Sequence, residues 1–393
     1  MSRPLLGIRV IDFSSLVAGP WCGRLLADCG ADVIKVESAE GDVLRSSSPV
    51  PGGISRTFAQ FNCGKRCVTL DLKSPAGADL ARQLVARADA VIENFRPGVM
   101  ARLGLDAARL RAADPRLVYC SVSGFGQDGP RSQMPAYAPI AHALSGFDRA
   151  FLANNGGIET PLASGIMIAD VVAAVYAFGA IQTALFRRER EGVGATIDAT
   201  LFEAMLSVVA IQIQEAQAPV PVAPKVFRPT RTSDGFVIVP LVSPRNYLAL
   251  YPAIGRADWC TDPAFASRRG IAANECEIES ALAAWAAQRD TKAVVDAITA
   301  AGLPCSPYHT PAEVLDDEHL AERRSFAPLR DTHGDFAVLN APFRFDDLDC
   351  SALPRVGGLG EHTREVLAGL LSIDGERFAE LASVGAFGAV AGG

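Results

Sequence analysis

An aspartate and a group of basic side chains are the residues of this 393-residue chain whose types and surroundings could support chemistry. Asp170 stands near the start of an apolar stretch, Ile166 to Phe186, that predicts a helix. Apolar neighbours raise the pKa of a carboxyl group, whereas free N–H groups at a helix N-terminus stabilise its ionised form. Two interpretations are open from the residues alone. Asp170 either caps its helix or acts as an ionised, partly desolvated nucleophile.

Basic side chains are concentrated in the first third of the chain. Charges of this kind usually form a solvated face, but a phosphate-bearing ligand is an equal alternative. Ligands of open parallel sheets bind beyond the carboxyl ends of the strands. Lys73 and the Asn94-Phe95 pair follow predicted strands in this way. The basic group comprises Lys35, Arg45, Lys65, Arg66, Lys73, Arg96 and Arg102.

Several familiar catalytic and metal-binding patterns are missing. There is no GxGxxG at the first strand–helix turn, and no GxxxxGKS/T, GxSxG or HExxH. This argues against nicotinamide, nucleotide-hydrolase, serine-hydrolase and zinc-protease functions. Cys63 and Cys67 form a lone pair and the five histidines have no ligand spacing, so no metal site is predicted. His142 differs from the other histidines because it stands in an apolar stretch, Pro139 to Leu144.

Composition and charge restrict the class of protein further. With 49% hydrophobic and 21% charged residues, the chain is predicted to be globular. A net charge of −7 argues against a nucleic-acid surface but allows a small anionic ligand on a local basic patch. The N-terminal residues lack the apolar core of a signal peptide. Asp170 within the long apolar stretch favours a buried helix over a membrane span, and nine scattered cysteines predict reduced thiols in a cytoplasmic protein.

The order of the predicted elements indicates an α/β fold. Strands alternate with helices through the first half, which predicts a mostly parallel, Rossmann-like sheet. A proline-rich segment at 216–229 is predicted to link this large domain, 1–215, to a small α+β domain at 230–326. Residues 327–393 are predicted to return to the large domain. The predicted strands are 7–13, 32–37, 67–72, 90–93 and 117–122, with a helix that starts at Ser74-Pro75 and a hairpin turn at Asp234-Gly235.

Long segments of the chain resemble the family III CoA-transferases. The first is VIDFSSLVAGPWCGRLLADCGADVIKVE, followed by the Gly41-Asp42 pair and Arg45. The similarity runs in order through nearly the whole chain, so no single short motif carries it. The other segments are NCGKRCVTLDLKSP, ADAVIENFRPGVMARLGL, RLVYCSVSGFGQDGP, GIMIADVVAAVYA, GVGATIDATLFEA, TSDGFVIV and GLPCSPYHTPAEVLDDEHL.

The resemblance implies a fold, an assembly and an activity. It implies a large Rossmann-like domain completed by the C-terminal tail, and an interlocked homodimer. It also implies transfer of CoA from an acyl-CoA donor to a carboxylic acid through an aspartyl-CoA thioester on Asp170. CoA and acyl-CoA would be substrates, with no tightly bound cofactor. The positions that correspond to the family's CoA contacts are Leu16, Val17, Ala18, Leu70, Lys73, Asn94, Phe95, Arg102 and Leu103.

Departures from the family pattern define the alternatives. Ser38 and Pro135 stand where formyl-CoA transferase members have basic residues, so other cations must hold some CoA phosphates. Val17 replaces a glutamine of the oxalate-handling members, which argues against formyl-CoA:oxalate chemistry. An α-methylacyl-CoA racemase is the first alternative, but Tyr137 stands where racemases have a histidine base. A non-catalytic acyl-CoA-binding protein is the second.

Overall fold

The computed structural model describes residues 2–47, 52–153, 159–161, 164–217 and 226–388. It forms two compact units: unit 1 is Met1–Pro219 with Ala321–Gly393, and unit 2 is Val220–Leu320. Residues 321–326, which the sequence analysis assigned to the small domain, belong to unit 1. Most of the predicted linker, 218–225 of 216–229, lies outside the described residues.

Unit 1 is built on a sheet of six strands in which every pairing is parallel. Their order is β3-β2-β1-β4-β5-β6, the strand order of a doubly wound Rossmann fold. The predicted α/β class and parallel sheet are therefore confirmed. The order reverses between β1 and β4, which places a topological switch point there. The strands are β1 (Arg9–Asp12), β2 (Asp32–Glu37), β3 (Arg66–Thr69), β4 (Ala90–Glu93), β5 (Val118–Ser123) and β6 (Thr196–Thr200).

Helices cover both faces of this sheet because the strands are apolar on both sides. Val10 belongs to the core on one face and its neighbour Ile11 to the core on the other. The predicted helix start is confirmed, since Ser74 Oγ accepts the N–H of Gly77 at 2.9 Å. The helices of the first segment are α1 (Ala18–Asp28), α2 (Arg56–Asn62), α3 (Pro75–Val85), α4 (Val99–Arg102), α5 (Ala107–Ala113), α6 (Ala138–Ser145), α7 (Phe147–Ala153), α8 (Ile168–Glu191), α9 (Leu201–Val208) and α10 (Ala210–Gln217).

Unit 2 is a small antiparallel sheet with helices. Its strands pair in the order β7-β8-β9, and the β7–β8 hairpin encloses Asp234-Gly235 as predicted. Trp259 stacks on Phe265 with ring centroids 4.2 Å apart, at the centre of an apolar core. The elements are β7 (Thr230–Arg231), β8 (Phe236–Ile238), α11 (Pro244–Ala253), α12 (Pro263–Ala266), α13 (Arg268–Ala273), α14 (Glu275–Ala286), α15 (Thr291–Ala300), β9 (Ser306–Pro307), α16 (Pro311–Leu315) and α17 (Glu318–Glu322), whose last residues belong to unit 1.

The C-terminal segment lies against the edge of the unit 1 sheet. His362 Nδ1 accepts the N–H of Cys67 at 3.1 Å, and Thr363 Oγ1 accepts the N–H of Thr69 at 3.0 Å. Strand β3 therefore has side-chain acceptors along its outer edge. The elements of this segment are β10 (Phe326–Asp331), β11 (Gly334–Leu339), α18 (Thr363–Leu371) and α19 (Gly375–Ser383).

Helix α8 is the one helix among the described residues that is long and apolar enough to span a membrane. One of its faces is packed in the unit 1 core, where Ala173, Ala177 and Ile181 are fully buried. This packing fits the buried helix that the sequence analysis favoured. Its other face exposes Val175 and Tyr176. All nine cysteines of the chain are free thiols.

Candidate active site

Asp170 lies where two helices begin. It occupies the first turn of α8, and the residue that caps this helix, Met167, has no side-chain cap hydrogen bond. The backbone N–H of Asp170 itself and that of Ala18, the first residue of α1, both act on the carboxylate to favour its ionised form. Burial raises the pKa of Asp170 to about 6, although both N–H groups act to lower it. Asp170 is thus a first-turn aspartate of α8 whose carboxylate also faces the start of α1.

The turn after β1 brings Ala18 to this position. Leu16 adopts a left-handed backbone conformation with φ 67°, which is uncommon for a residue with a branched side chain. The Asn94 side chain holds the neighbouring residue from both sides, because Ser15 N–H donates to Asn94 Oδ1 at 2.9 Å and Asn94 Nδ2 donates to Ser15 O at 2.7 Å. The loops after β1 and β4 are therefore joined at the switch point, where Rossmann folds bind their ligands.

Two buried lysines donate hydrogen bonds to the backbone on either side of this turn and pair with buried aspartates. Lys65 Nζ donates to Asp12 Oδ2 and to Pro20 O, both at 2.8 Å. Lys35 Nζ donates to Asp42 Oδ2 at 2.9 Å and to the backbone carbonyl of Ser14 at 2.8 Å. All four charged side chains are buried. The sequence analysis allowed Lys35 and Lys65 as ligand-binding cations, and this is wrong because both are enclosed in the core and paired internally.

A family profile, CoA-transferase family III, matches residues 5–363. The chain belongs to this family. It is 32% identical to a succinate–glutarate CoA-transferase of Agrobacterium fabrum, over 94% of this chain and 96% of that one. It is 30% identical to a formyl-CoA:oxalate CoA-transferase of Streptomyces avermitilis, over 98% of this chain and the whole of that one.

Solved structures agree with this assignment. A CAIB/BAIF family protein from Brucella suis has a TM-score of 0.82 at 32% identity, over 94% of this chain and all of that chain. The Mycobacterium tuberculosis protein Rv3272 has a TM-score of 0.83 at 28% identity, over 93% of this chain and 99% of that chain. This protein is therefore a CoA-transferase, an enzyme that uses CoA thioesters as substrates.

The remaining predicted cations of the CoA-transferase fall into two groups. Arg45 and Arg66 are paired, because Arg45 contacts both oxygens of Glu37 and Arg66 contacts both oxygens of Asp32. Side chains that are already paired contribute less positive charge to a ligand. The exposed cations of the predicted basic group are Lys73, Arg96 and Arg102.

The apolar residues predicted to contact CoA separate into three core clusters, one of which contains Ala18. Leu70 is buried, and Phe95 and Leu103 pack on its cluster on one face of the sheet. Val17 is buried in another cluster with Leu44 and Phe58, and Leu16 packs at its edge. Leu16, Leu70 and Phe95 follow β1, β3 and β4 respectively, so all lie at the carboxyl edge of the sheet.

His142 of the CoA-transferase lies beside Asp170, the candidate catalytic residue. The sequence analysis did not predict that these two residues are neighbours. His142 is buried on α6, and its Nε2 accepts the N–H of Ala169 at 3.1 Å. Tyr137, by contrast, is 66% exposed and its side chain does not cap α6. The apolar setting of His142 was a signal that it is buried. Its contact 27 residues along the chain left no trace in the local sequence.

Proposed function

We propose that Asp170 is the nucleophile of this CoA-transferase and that CoA passes through an aspartyl-CoA thioester. The environment of the carboxylate carries the proposal. Within the described part of the chain its partners are two backbone N–H groups and no side-chain cation. A carboxylate without a counter-ion keeps its electron pair available, and a pKa of about 6 leaves it mostly ionised at neutral pH.

The transfer proceeds in two symmetrical halves. The Asp170 carboxylate attacks the carbonyl of the donor acyl-CoA, the C–S bond breaks, and a mixed anhydride and the CoA thiolate form. The thiolate attacks the aspartyl carbonyl, which releases the donor acid and leaves the aspartyl-CoA thioester. The acceptor carboxylate then attacks this thioester to give a second anhydride and the thiolate. Attack of the thiolate on the acceptor acyl carbonyl forms the new acyl-CoA and restores Asp170.

The N–H of Ala18 is suited to stabilise the oxyanion that develops on the aspartyl carbonyl. It already lies against the carboxylate, and it sits at the positive end of the α1 dipole. Since the turn from Ser15 to Ala18 is held by Asn94, the donor is fixed before the substrate arrives. Preorganised donors of this kind reduce the cost of charge development in the transition state.

The CoA molecule itself must be held against a net charge of −7. We assign its phosphates to the exposed cations Lys73, Arg96 and Arg102, because Lys35 and Lys65 are buried. Backbone and apolar groups at Leu16–Ala18, Leu70, Asn94-Phe95 and Leu103 would line the remainder of the CoA site. No tightly bound cofactor is required by the proposed chemistry.

A homodimer, interlocked as the family resemblance implies, is part of the proposal. Unit 1 exposes a set of large apolar side chains on neighbouring helices, including Ile140 and Leu144 on α6 and Val175 and Tyr176 on α8. Exposed apolar groups on adjacent elements are typical of a protein interface. Light scattering on the purified protein should give twice the mass of one chain, and the mass of a single chain would contradict the dimer.

Mass spectrometry tests the proposed intermediate directly. The enzyme is mixed with succinyl-CoA, quenched in acid and digested, and the peptide that contains Asp170 is examined for a CoA adduct. Asp198→Asn is the matched control, because Asp198 is also a carboxylate whose pKa is raised by burial. We expect the adduct in the wild type and in the control variant, and none in Asp170→Asn. An adduct on another residue would overturn the assignment.

Separate assays on the same purified enzyme distinguish the two alternative functions. Exchange of deuterium into the α-carbon of 2-methylacyl-CoA, without transfer, would indicate a racemase. Tight CoA binding without turnover on any donor would indicate a binding protein. The relatives named for succinate–glutarate, formyl-CoA:oxalate and D-citramalate transfer define the first substrates to screen. Succinyl-CoA and formyl-CoA are therefore tested as donors with glutarate, citramalate and oxalate as acceptors.

A further inference from the structure

The N–H groups at the start of α8 each have a described partner. Ile168 N–H donates to Ile166 O and Val171 N–H donates to Met167 O, both at 3.1 Å. The N–H of Asp170 interacts with its own carboxylate. The N–H of Ala169 is the one that a side chain from another helix satisfies, and that side chain is His142.

His142 is buried and packed against an aromatic ring at this contact. It is 1% exposed on α6, and its ring lies 5.6 Å from the ring of Phe147. Because Nε2 accepts a hydrogen bond, the imidazole is neutral with its proton on Nδ1. Burial lowers the pKa of His142, against the opposing effect of Asp148, so this neutral form is the stable one near pH 7.

The contact removes a competitor for the Asp170 carboxylate. An aspartate in the first turn of a helix ordinarily turns towards the free N–H groups of its own helix. If the N–H of Ala169 had no other acceptor, the Asp170 side chain would be drawn to it. Since His142 satisfies that N–H, the carboxylate can remain beside Ala18 at the start of α1, where the two helices meet.

We infer that His142 is a positioning residue that holds the first turn of α8 so that the Asp170 carboxylate faces the Ala18 N–H. The inference rests on the proposed role of Asp170 as nucleophile. His142 contributes no proton and touches no substrate in this role. A base function is also incompatible with the contact, because the lone pair of Nε2 is already engaged by Ala169.

Two substitutions of similar size separate positioning from packing. His142→Gln keeps an oxygen that can accept the N–H of Ala169, whereas His142→Leu fills the space without an acceptor. We expect kcat of the Leu variant to fall about 10- to 100-fold, since displacement of a catalytic group by about 1 Å has effects of this size. We expect KM for the acyl-CoA to change less than about twofold, because CoA binding is untouched. The Gln variant should recover kcat to within about threefold of the wild type.

The rate at which the Asp170 adduct forms provides the second readout. It should fall in the Leu variant by the same factor as kcat and return in the Gln variant, while thermal unfolding shows both variants folded. Wild-type kcat in the Leu variant would overturn the inference. An equal loss of kcat in the Leu and Gln variants would also overturn the inference. It would assign His142 to packing or, if the variants also lost exchange at the substrate α-carbon, to base catalysis.

The outcome is distinguishable from failure of the proposed function. Asp170→Asn is measured in the same assay. If Asp170→Asn turns over normally, the nucleophile assignment fails and this inference fails with it. If Asp170→Asn is inactive while His142→Leu is normal, the positioning role alone is wrong.

Discussion

The two halves of the carboxyl edge of the unit 1 sheet differ in whether their buried carboxylates have a cationic partner. At β1 and β2, Asp12 and the nearby Asp42 each contact a buried lysine. At β4 and β6, Glu93 and Asp198 have hydrogen-bond donors and other carboxylates as neighbours, and no cation among the described residues acts on their pKa. Asp170 resembles Glu93 and Asp198 in its electrostatics, because no cation among the described residues acts on its pKa.

The pKa values of these carboxyl groups depend on whether a cation lies beside them. Burial acts to raise the pKa of Asp12, but Lys65 and Lys35 outweigh it and hold that pKa below its usual value. Burial raises the pKa of Glu93 to about 7 and that of Asp170 to about 6. A carboxylate that is paired with a buried cation stabilises the fold. A buried carboxylate without such a partner is available for reaction, but its ionised form is less stable.

Removal of the Asp170 carboxylate is expected to have the largest effect. Asp170→Asn should lower kcat/KM by about 10⁴-fold or more, because the proposed acyl bond forms on this carboxylate. The free energy of unfolding should change by less than about 1 kcal/mol, since the substitution removes no ion pair. Steady-state kinetics and urea unfolding check the two halves of this prediction. A comparable loss of stability would place Asp170 with the structural carboxylates.

Removal of the Asp12 carboxylate should show the opposite pattern. Asp12→Asn is expected to lower the free energy of unfolding by about 3–5 kcal/mol, because Lys65 is left buried without its partner. Asp32→Asn is the control, since Asp32 pairs with Arg9 and Arg66 at a half-exposed site and should cost less than about 1 kcal/mol. Urea unfolding at pH 7 measures both. Equal costs would mean that burial of the ion pair is not the cause.

The pH dependence of activity tests the raised pKa of Asp170, which has no cationic partner among the described residues. Protonation of Asp170 removes the proposed nucleophile, so kcat/KM should fall as pH falls through about 6, by about tenfold for each further pH unit. An aspartate with the ordinary pKa of 3.8 would keep full activity at pH 5. The profile is measured at constant ionic strength with a check that the enzyme recovers at pH 7. A limb near pH 4 would mean that Asp170 is stabilised as an ion.

Substitution of Glu93 is expected to have the smallest effect, a change in the free energy of unfolding that depends on pH. Its folded-state pKa is raised from 4.5 to about 7, so its favourable contribution is complete below pH 4.5 and is lost as pH rises through 7. Glu93→Gln should therefore change the free energy of unfolding by less than about 1 kcal/mol at pH 5. Relative to the wild type, the variant should gain stability as pH rises to 8. Urea unfolding at the two pH values measures this difference, and a variant that loses stability with rising pH would contradict it.

The sequence predicted the sheet well because its signals are local. Strands β2 and β4 were placed at their observed limits, since each has valine and isoleucine at its centre and is buried almost throughout in the parallel sheet. Helix α6 was not predicted as a helix, because it has eight residues with a proline near its start and depends on packing against α8 and α9. Short helices of this kind are set by tertiary contacts more than by propensity.

The candidate site was predictable in position and not in detail. Asp170 was identified from its type, its place at a helix start and the family resemblance. Its contact with Ala18 joins residues far apart in the chain, as does the contact of His142 with Ala169. The burial of Lys35 and Lys65 was hidden for the same reason. A lysine in a sequence does not reveal whether its partner is a phosphate or an aspartate from another strand.

The position of the C-terminal segment has a consequence for biosynthesis. The outer edge of β3 receives acceptors from His362 and Thr363, about 300 residues later in the chain. During translation, unit 2 is complete and contiguous before these residues leave the ribosome, whereas the Rossmann-like unit still has an open edge strand. An open edge is a site for pairing with other nascent chains. The outer edge of β3 is therefore covered only after His362 and Thr363 have been synthesised.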